Sequence, residues 1–467
     1  MNPILSLSLL AVVAYVTGKN AEQWRHRTIY QIITDRFSQG TTSGNSCDLH
    51  NYCGGTFKGI ENNLDYIQNM GFTAIWISPV VQNIEGGYHG YWANNFFKVN
   101  QHFGTEQDLK DLVSECHKRD IYVMVDIVLN HVGPIGTDFG QISDFNQESY
   151  YHSRCQVVDY NNQYQVEHCR LADLPDLNQE NDFVSKKIMD SVVWLTNTFD
   201  IDGLRIDTIP FISKDFWAKF KKECLVGKLN DIYVVGEVLN GDIAYVAPYA
   251  NILGATLNYP LYFSIKSSYG QRQSMYNIRS VLNAEPSQFK HVEHLGTFVD
   301  NHDNSRFLND FPDVSNFKNA LTFQLFSKGI PIVYYGSEQL FNGGADPYNR
   351  ETLWNHFNTN SEMYNFFKIL VAFRKAHIDE IVTSDHVERY ISDEFYAFSR
   401  GKVFIATTNV GSSYARVQHD VTYHPYDEGT LLCDLFYPTD CVKIENGEFT
   451  VVLLHGESKV FYPKSLM

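Results

Sequence analysis

Three acidic residues, Asp207, Glu237 and Asp303, each stand where a short apolar stretch of the sequence ends. Gly-Leu-Arg-Ile over 203–206 precedes the first of them, and the two-residue alternation of a strand places Arg205 and Asp207 on the same side. Charged side chains in a buried strand must be paired or functional, because an isolated buried charge is costly. A proline three residues later blocks continuation of the strand, since it lacks a backbone donor. The pattern indicates a carboxylate held beside a guanidinium at a strand end.

A trio of carboxylates suits the cleavage of glycosidic bonds. One attacks the anomeric carbon, while a second protonates the leaving oxygen and then deprotonates water; a separation of about 5–5.5 Å makes the reaction retaining. A third can stabilise the oxocarbenium-like transition state. Arg205 would keep Asp207 ionised, whereas Glu237 needs a pKa raised by burial and nearby negative charge. A lone carboxylate here is more often a strand-end cap or ion pair, but three at barrel strand ends favour catalysis.

Short apolar segments alternate with longer amphipathic ones, which predicts a TIM (β/α)8 barrel. Helices are predicted from Thr105, a capping residue, to about Arg119, and from Asp182 to Phe199, where apolar residues recur at helical spacing. In such a barrel the strand ends form one ring, which would also hold the polar residues that end the third and seventh strands. The predicted strands lie near 28–36, 73–79, 121–129, 203–207, 232–237, 254–259, 296–301 and 330–335.

Two segments depart from this alternation. Residues 131–181 are rich in Gly, Asn, Gln, Asp and Tyr, which predicts an irregular excursion from the barrel. After about residue 380 the pattern becomes strand-like, with a predicted hairpin around 399–402 and a C-terminal antiparallel, β-sandwich-like domain. The predicted organisation is a signal peptide over 1–18, barrel over 19–130, inserted domain over 131–181, barrel over 182–380 and C-terminal domain over 381–467.

The composition limits the class of partner. The chain has 467 residues, 44% hydrophobic and 19% charged, with a net charge of −17. This composition is globular rather than disordered. The negative charge argues against nucleic acid or an anionic membrane as a partner and fits a neutral substrate. Aromatic residues reach 14%, which could serve sugar stacking or simply the core. A monomer is the default expectation.

The N-terminal region predicts export. An apolar run over 4–16 is too short to span a bilayer and precedes small residues suited to cleavage near Gly18. The mature protein is therefore expected in the medium, or in a secretory vacuole or lysosome, with no membrane association. In this oxidising setting three near pairs of cysteines predict disulfides, whereas Cys116 and Cys224 are expected to be buried thiols. The expected pairs are Cys47–Cys53, Cys155–Cys169 and Cys433–Cys441.

Four segments in order resemble the motifs of α-amylases of glycoside hydrolase family 13, most of all the secreted fungal type. They are Asp-Ile-Val-Leu-Asn-His over 126–131, Gly-Leu-Arg-Ile-Asp-Thr over 203–208, Gly-Glu-Val-Leu over 236–239 and Phe-Val-Asp-Asn-His-Asp over 298–303. Segments 71–79, 174–177 and 329–336 also match, so the resemblance covers about 24–376.

The resemblance implies endo-acting, retaining hydrolysis of α-1,4-glucosidic bonds in starch, glycogen and maltooligosaccharides. By it, Asp207 is the nucleophile, Glu237 the general acid/base and Asp303 the transition-state stabiliser. The residues it implies in sugar binding are His89, Tyr91, His131, Arg205, His302, Asp346 and Arg350.

The resemblance also implies a bound Ca²⁺. Its ligands would be the side chains of Asn130, Glu167 and Asp176 and the backbone carbonyl of Phe211, since hard cations take oxygen ligands. Spacing alone would favour exposed loop charges for Glu167 and Asp176. The chain departs from the family where related enzymes carry Lys-His after the nucleophile. Pro210-Phe211 stands there instead, which predicts weaker binding of sugar on the leaving-group side.

Two other functions remain open at this stage. One is an exo-acting α-glucosidase or transglycosylase on the same barrel; such enzymes tend to carry Gln at the position of Leu174, so this residue favours the amylase. The other is a non-catalytic carbohydrate-binding or transport-associated relative, which would often lack one of the three carboxylates.

Overall fold

Seven parallel strands form the central sheet and nearly close into a barrel. The computed structural model describes residues 18–40 and 47–467. Neighbouring barrel strands pair in parallel around the sheet. The barrel strands are, in chain order, Ile29–Ile32, Ala74–Ile77, Tyr122–Ile127, Gly203–Ile206, Tyr233–Gly236, Gly296–Thr297 and Ile330–Tyr334. The predicted α/β barrel class is confirmed.

The sixth predicted strand, over 254–259, is not a regular strand in the structure. Thr256 bridges to Gly236 on one side and Leu257 bridges to Gly296 on the other, both in parallel. These isolated bridges fill the gap in the ring. The segment cannot extend further because Asn258 caps the helix Tyr259–Ile265, which begins at once.

Alternation along the strands separates the barrel interior from its outer face. Leu204 packs with the main hydrophobic core under the helices. Trp76, Met124 and Val235 belong instead to a second cluster inside the barrel. Arg205 also lies inside, fully buried, with its guanidinium 5.3 Å from the centre of the Trp76 ring. The barrel is therefore a packed core whose upper layer is charged.

Both helices predicted from the sequence are present. Glu106–Lys118 begins at a capping box between Thr105 and Asp108, and Asp182–Phe199 begins at an Asn181 cap. The other α-helices are Ala21–Arg25, Thr34–Phe37, Phe57–Asn62, Leu64–Asn69, Gln163–His168, Lys214–Phe220, Gly227–Leu229, Ile243–Leu253, Tyr259–Ile265, Tyr276–Gln288, Phe307–Asp310, Val314–Phe326, Glu362–Ala376 and Ile378–Thr383.

Shorter helical turns complete the connections. The 3₁₀ turns are Phe139–Gln141, Glu148–Tyr150, Ile209–Phe211, Val292–His294, Ser337–Gln339 and Lys464–Leu466, and π-helical turns span Lys221–Val226 and Lys266–Gly270.

Two excursions rise beside the ends of the barrel strands. An antiparallel pair that was not predicted, Val81–Asn83 with Ala93–Val99, precedes the third barrel strand and carries a loop at 84–92. The segment over 131–181, between the third barrel strand and the helix Asp182–Phe199, holds one short α-helix, Gln163–His168, and two 3₁₀ turns. The bridge between His131 and Asp176 joins its two ends.

The C-terminal region is antiparallel, as predicted. A six-stranded sheet and a two-stranded sheet enclose a separate apolar cluster. The predicted hairpin joins Phe395–Arg400 to Val403–Thr408. The remaining strands are His386–Ile391, Arg416–Val421, Leu431–Asp434, Cys441–Lys443, Phe449–Leu454 and Lys459–Pro463.

The cysteines pair as the sequence predicts. Disulfides join Cys47 to Cys53, Cys155 to Cys169 and Cys433 to Cys441. Cys116 and Cys224 are buried free thiols. The predicted signal peptide covers 1–18, and all of it except Gly18 lies outside the described residues. Within the described ranges, no helix is long and apolar enough to cross a membrane.

Candidate active site

One guanidinium holds three carboxylates together at the top of the barrel. Arg205 Nη1 donates to Asp207 Oδ1 at 2.7 Å and to both carboxylate oxygens of Asp126 at 3.0 Å. Its Nη2 lies 3.1 Å from Glu237 Oε2. Arg205 and Asp126 are fully buried, and the other two side chains are 10% exposed. The two carboxylates that face solvent therefore share one buried cation.

The sheet register produces this cluster. Asp126 and Arg205 are direct partners across neighbouring parallel strands. Asp207 and Glu237 each extend their strand by one more backbone hydrogen bond, from Asp207 N to Ile127 O and from Glu237 N to Ile206 O. The chain then turns at Thr208, a β-branched residue with φ of 48°. Such a conformation is strained and is retained where the surroundings fix it, as at functional sites.

Burial raises the pKa values of Asp207 and Glu237 to different extents. Desolvation raises the pKa of Glu237 to about 8, and the charges of Asp207 and Asp303 add to it against the opposing effect of Arg205. Desolvation raises the pKa of Asp207 to about 6, and Arg205 opposes this rise both by its charge and by its hydrogen bond to the carboxylate. At neutral pH Glu237 is therefore mainly protonated while Asp207 is mainly ionised. This is the division between a general acid and a nucleophile.

Asp303 lies on the loop after the seventh predicted strand and is one-quarter exposed. Burial acts to raise its pKa, but His302, Arg205 and Arg350 outweigh that effect and hold the pKa below its usual range. The Arg350 Nη2 atom lies 3.8 Å from Asp303 Oδ1. Asp303 is therefore ionised at neutral pH, and its charge acts to raise the pKa values of Asp207 and Glu237.

A directed hydrogen-bond chain fixes His302 beside these acids. Gln31 Nε2 donates to His302 Nδ1 at 2.8 Å, so the ring carries its proton on Nε2. That Nε2 donates to the Tyr91 hydroxyl at 2.6 Å, and the hydroxyl donates to Asp126 Oδ2 at 2.8 Å. Desolvation lowers the pKa of His302 to about 3. The imidazole is thus a neutral donor with a defined tautomer.

A family model described as the α-amylase catalytic domain matches residues 31–370 of this chain. The chain belongs to the α-amylase family. It is a glycoside hydrolase, and the resemblance seen in the sequence motifs is confirmed.

Relatives of this α-amylase-family enzyme extend over most of its length. An α-amylase of Saccharomycopsis fibuligera is 38% identical, covering 97% of this chain and 94% of the relative. α-Amylase 1 of Lipomyces kononenkoae is 42% identical, with 80% of this chain aligned to 62% of that protein. The α-amylase structure from Malbranchea cinnamomea has a TM-score of 0.90 at 35% identity and covers 96% of this chain and 98% of its own. That of Geobacillus thermoleovorans, complexed with acarbose, has a TM-score of 0.85 at 33% identity, covering 94% and 98%.

The other predicted sugar-binding residues of the enzyme surround the three acids. His89 and Tyr91 stack on each other with ring centres 5.6 Å apart, on the loop of the antiparallel pair. His131 is buried, and its Nε2 lies 3.2 Å from the carbonyl oxygen of Tyr91. Desolvation lowers the pKa of His131 to about 4, so this ring is neutral as well.

Arg350 and Asp346 form an ion pair at the rim of the site. Arg350 Nη1 lies 2.9 Å from Asp346 Oδ1, and Arg350 Nε donates to the carbonyl oxygen of His302 at 3.0 Å. The guanidinium is 6% exposed, whereas the Asp346 side chain is half exposed. Arg350 therefore positions the His302–Asp303 segment, and Asp346 is the member of the pair that solvent can reach.

Two residues of this network were not singled out by the sequence analysis. Asp126 carries two of the contacts of Arg205, and Gln31 sets the tautomer of His302. Asp126 lies within the motif over 126–131, and its position on the inward-facing side of a buried strand was the available signal. The sequence signal for Gln31 was weaker: it is the polar residue of an otherwise apolar first strand.

Pro210 and Phe211, where the chain differs from the family pattern, line a cavity beside Glu237. This cavity has an empty volume of about 800 Å³, which includes open solvent. Apolar and aromatic side chains form most of its wall, and Tyr160 and Leu239 are more than half exposed. Its lining includes Tyr160, Pro210, Phe211, Glu237, Leu239 and Tyr245.

Three of the four predicted calcium ligands meet under the inserted segment. The side-chain amide oxygen of Asn130 faces Asp176 Oδ1 at 3.0 Å and the carbonyl oxygen of Phe211 at 2.9 Å. An amide oxygen that faces two other oxygens with no proton between them fits a shared hard cation. Glu167 accepts a hydrogen bond from Gln163 Nε2, which also donates to the carbonyl of Pro210 next to Phe211. The donor set therefore fits Ca²⁺.

Proposed function

We propose that this enzyme hydrolyses internal α-1,4-glucosidic bonds of starch, glycogen and maltooligosaccharides with retention, through a glycosyl-enzyme intermediate on Asp207. The observation that carries the assignment is the sharing of Arg205 by Asp207 and Glu237, with their pKa values raised to about 6 and about 8. Family membership supports the substrate class, and the acarbose complex of a neighbouring α-amylase fits an α-glucan substrate.

The reaction takes two steps. Asp207 attacks the anomeric carbon, while protonated Glu237 gives its proton to the leaving glycosidic oxygen. Glu237, now ionised, then removes a proton from water, which attacks the same carbon and releases Asp207. Asp303 stays ionised throughout, so its negative charge stabilises the positive charge that develops on the sugar ring in the transition state. His302 and Arg205 hold the acids in place, and His89, Tyr91, His131 and Asp346 line the sugar-binding cleft.

End-blocked maltooligosaccharides test the endo assignment. Rapid cleavage of a substrate whose non-reducing end is blocked requires internal attack. Cleavage of free ends only would identify an exo-acting α-glucosidase or transglycosylase, and no cleavage of starch or blocked substrate would identify a binding protein. Leu174, in place of the Gln found in exo-acting relatives, supports the endo reading.

The pH profile of kcat/KM is expected to be a bell with limbs near pH 6 and pH 8. Below the acid limb Asp207 becomes protonated and loses its nucleophilicity; above the alkaline limb Glu237 loses the proton it must donate. The two apparent values belong to the coupled pair rather than to either residue. Initial rates on maltoheptaose across pH 4.5–9.5 measure the profile.

A matched substrate separates the two limbs. α-Maltosyl fluoride needs no proton on its leaving group, so its kcat/KM profile should keep the acid limb and lose the alkaline one. An alkaline limb of equal depth with both substrates would contradict the role of Glu237 as general acid.

Calcium, when bound, would join the inserted segment over 131–181 to the barrel. Asn130, Asp176 and the Phe211 carbonyl would hold the ion, with Glu167 beside them, and these residues belong to separate parts of the chain. The segment over 131–181 would thus act as an inserted domain anchored to the barrel of 19–130 and 182–380. The C-terminal domain over 381–467 packs on that barrel.

Chelation of calcium is expected to lower Tm by about 3 °C, because a ligand at 100 times its Kd contributes about 2.7 kcal/mol and the unfolding entropy of a chain this long is large. Starch hydrolysis should fall with it, since the Phe211 carbonyl follows the nucleophile closely in sequence. Differential scanning calorimetry of chelated protein, before and after adding back Ca²⁺ alone, measures the effect. A Tm unchanged in protein shown to be free of calcium would remove this assignment.

The double variant Pro210→Lys, Phe211→His should strengthen leaving-side binding. The new side chains add hydrogen-bond donors to a largely apolar cavity, which predicts a KM for maltoheptaose about 2- to 10-fold lower and a changed product profile. Chromatography of the products gives the readout. The Phe211 carbonyl is retained, so Tm in calcium should not change. Products identical to those of the parent enzyme would show that this cavity does not bind sugar.

The remaining proposals concern the location and the assembly of the protein. Three disulfides fit an oxidising compartment, so the protein would be secreted or delivered to a vacuolar or lysosomal lumen after loss of residues 1–18. It would act as a monomer without nucleic acid or membrane partners.

A further inference from the structure

The inserted segment carries two histidines and one glutamate whose side chains converge beside Asp176, one of the predicted calcium ligands. His152 Nε2 lies 3.5 Å from Glu180 Oε2, and His168 Nε2 lies 3.2 Å from Glu180 Oε1. All three ligand atoms lie within 4.8 Å of one another. The three residues are far apart in sequence, so the fold brings them together.

Both imidazoles are oriented with the same nitrogen toward Glu180. His152 Nδ1 lies 2.7 Å from Asp176 Oδ2, and His168 Nδ1 lies 3.0 Å from the carbonyl oxygen of Tyr164. A carboxylate and a carbonyl can only accept, so each Nδ1 carries the proton that it donates. A ring protonated on both nitrogens donates from His168 Nε2 to Glu180 Oε1 at 3.2 Å. In the neutral rings, which a metal ion requires, both Nε2 atoms present lone pairs toward Glu180.

His152 gives an independent sign of a missing ligand. Its side chain is only 8% exposed, and its Nε2 is buried without a hydrogen-bond partner. A buried polar atom with no partner is costly and calls for an explanation. The contact between its other nitrogen and a carboxylate is one of the outer-shell bonds that metal-binding histidines usually make.

We propose that His152, His168 and Glu180 bind a divalent transition-metal ion, of which Zn²⁺ is the best fit. Two imidazole nitrogens and one carboxylate are a zinc-type ligand set, whereas calcium prefers oxygen alone. Tetrahedral ligands at about 2.05 Å from zinc lie about 3.3 Å from one another. The distances of 3.5 Å from His152 Nε2 to Glu180 Oε2 and 3.2 Å from His168 Nε2 to Glu180 Oε1 are close to this value, each to a different oxygen of the carboxylate. Glu180 is more than half exposed, which leaves the fourth position open to water.

The site would fasten three parts of the inserted segment. His168 ends the helix Gln163–His168, one residue before the disulfide at Cys169, and Glu180 immediately precedes the Asn181 cap of the next barrel helix. Asp176 would join this ion to the calcium ligands, because its Oδ1 faces Asn130 and its Oδ2 faces His152. Metal binding here would therefore stiffen the wall of the cleft.

A second cluster of the same residue types offers a control. His291, Glu293 and His294 also lie close together among the described residues. There, however, His294 Nε2 is already bonded to Glu22 Oε1 at 3.0 Å. The Nε2 atoms of His152 and His168 both face Glu180, which is itself a member of their cluster, whereas Glu22 lies outside the second cluster. The two clusters should therefore differ in affinity.

Zinc titration of the full-length protein tests the proposal. With Ca²⁺ in large excess, calorimetry should show one tight Zn²⁺ site, and Co²⁺ in place of zinc should give the visible bands of a tetrahedral complex. His168→Ala and Glu180→Gln should each weaken zinc binding by at least about 100-fold, more than loss of an outer-shell partner does. His291→Ala should bind zinc as the parent does. Starch hydrolysis in calcium reports that each variant is folded, and Glu180→Gln is the milder change.

Each other result overturns the proposal. Equal zinc affinity in the parent, His168→Ala and Glu180→Gln would place the ion elsewhere, and loss of binding in His291→Ala would place it at the second cluster. Release of calcium in step with zinc uptake would mean that zinc enters the calcium ligands. No binding by the parent would mean that the cluster is an ion pair between protonated histidines and Glu180.

Discussion

Replacing Asp207 with Asn is expected to lower kcat on maltoheptaose by about 10⁴- to 10⁶-fold, as expected for loss of a nucleophile. The amide has the shape of the carboxylate but cannot form the glycosyl-enzyme intermediate. Arg205 keeps its contacts with Asp126 and Glu237, so the buried cation remains paired. The loss should therefore be chemical rather than structural.

The stability of this variant should be equal to or greater than that of the parent at pH 7. The folded-state pKa of Asp207 is raised to about 6, mainly by desolvation, so its ionisation on burial costs stability. A raised carboxylate pKa favours folding below the ordinary value near 3.8, and this contribution is lost as the pH rises through 6. Asn carries no such charge, and functional sites commonly retain residues at this kind of cost.

Urea unfolding and single-turnover kinetics measure the two effects separately. Asp434→Asn provides the matched control, because Asp434 is a buried carboxylate of the C-terminal sheet with a pKa also raised to about 6 by desolvation. That variant should keep kcat close to the parent value. Loss of folding in Asp207→Asn would mean that the residue is a structural ion-pair partner rather than the nucleophile.

The sequence was sufficient for the parts of the site that depend on local spacing. Alternation alone placed Arg205 and Asp207 on one face, and the proline after Asp207 marked the strand end. These are properties of a few consecutive residues, so no knowledge of the tertiary structure is needed. The capping residues Thr105 and Asn181 likewise start helices from local chemistry.

The parts of the site that the sequence did not predict depend on contacts between residues distant in sequence. Arg205 was paired with Asp207 alone in the sequence analysis, whereas cross-strand register also brings Asp126 and Glu237 to it. Register between strands tens of residues apart is set by the closed sheet, not by spacing. A full strand over 254–259 was predicted wrongly, because the apolar residues there continue into the helix Tyr259–Ile265, which Asn258 caps. The His152 cluster was missed for the same reason as Asp126, since its members meet only in the fold.

Replacing Arg205 with Gln is expected to destabilise the protein by about 3–5 kcal/mol at pH 7, the usual cost of removing one partner of a buried ion pair. Arg205 is fully buried and pairs with Asp126, Asp207 and Glu237. Gln can donate to one carboxylate but brings no charge. Without the cation, the pKa values of all three acids rise further, because its coulombic effect lowers each of them in the parent.

The destabilisation should shrink at pH 5. Acids with folded-state pKa values above their unfolded values take up protons as the pH falls, and the neutral forms no longer need the guanidinium. The difference in unfolding free energy between Arg205→Gln and the parent, measured in urea at pH 5 and pH 7, gives the test. The acid limb of the kcat/KM profile of Arg205→Gln should also move to higher pH, since Asp207 then stays protonated to higher pH.

Arg374→Gln distinguishes this electrostatic effect from simple loss of packing. Arg374 is 1% exposed like Arg205, but its Nη1 donates to the carbonyl oxygen of Leu325, and its pKa, lowered by desolvation to about 9, responds to no carboxylate. Its removal should cost the same at pH 5 and pH 7. If Arg205→Gln behaved in the same way, Arg205 would be a packing residue and the carboxylates would owe their ionisation to another source. A loss confined to neutral pH instead means that one buried cation holds the nucleophile ionised beside the acid, which is the arrangement that retaining catalysis requires.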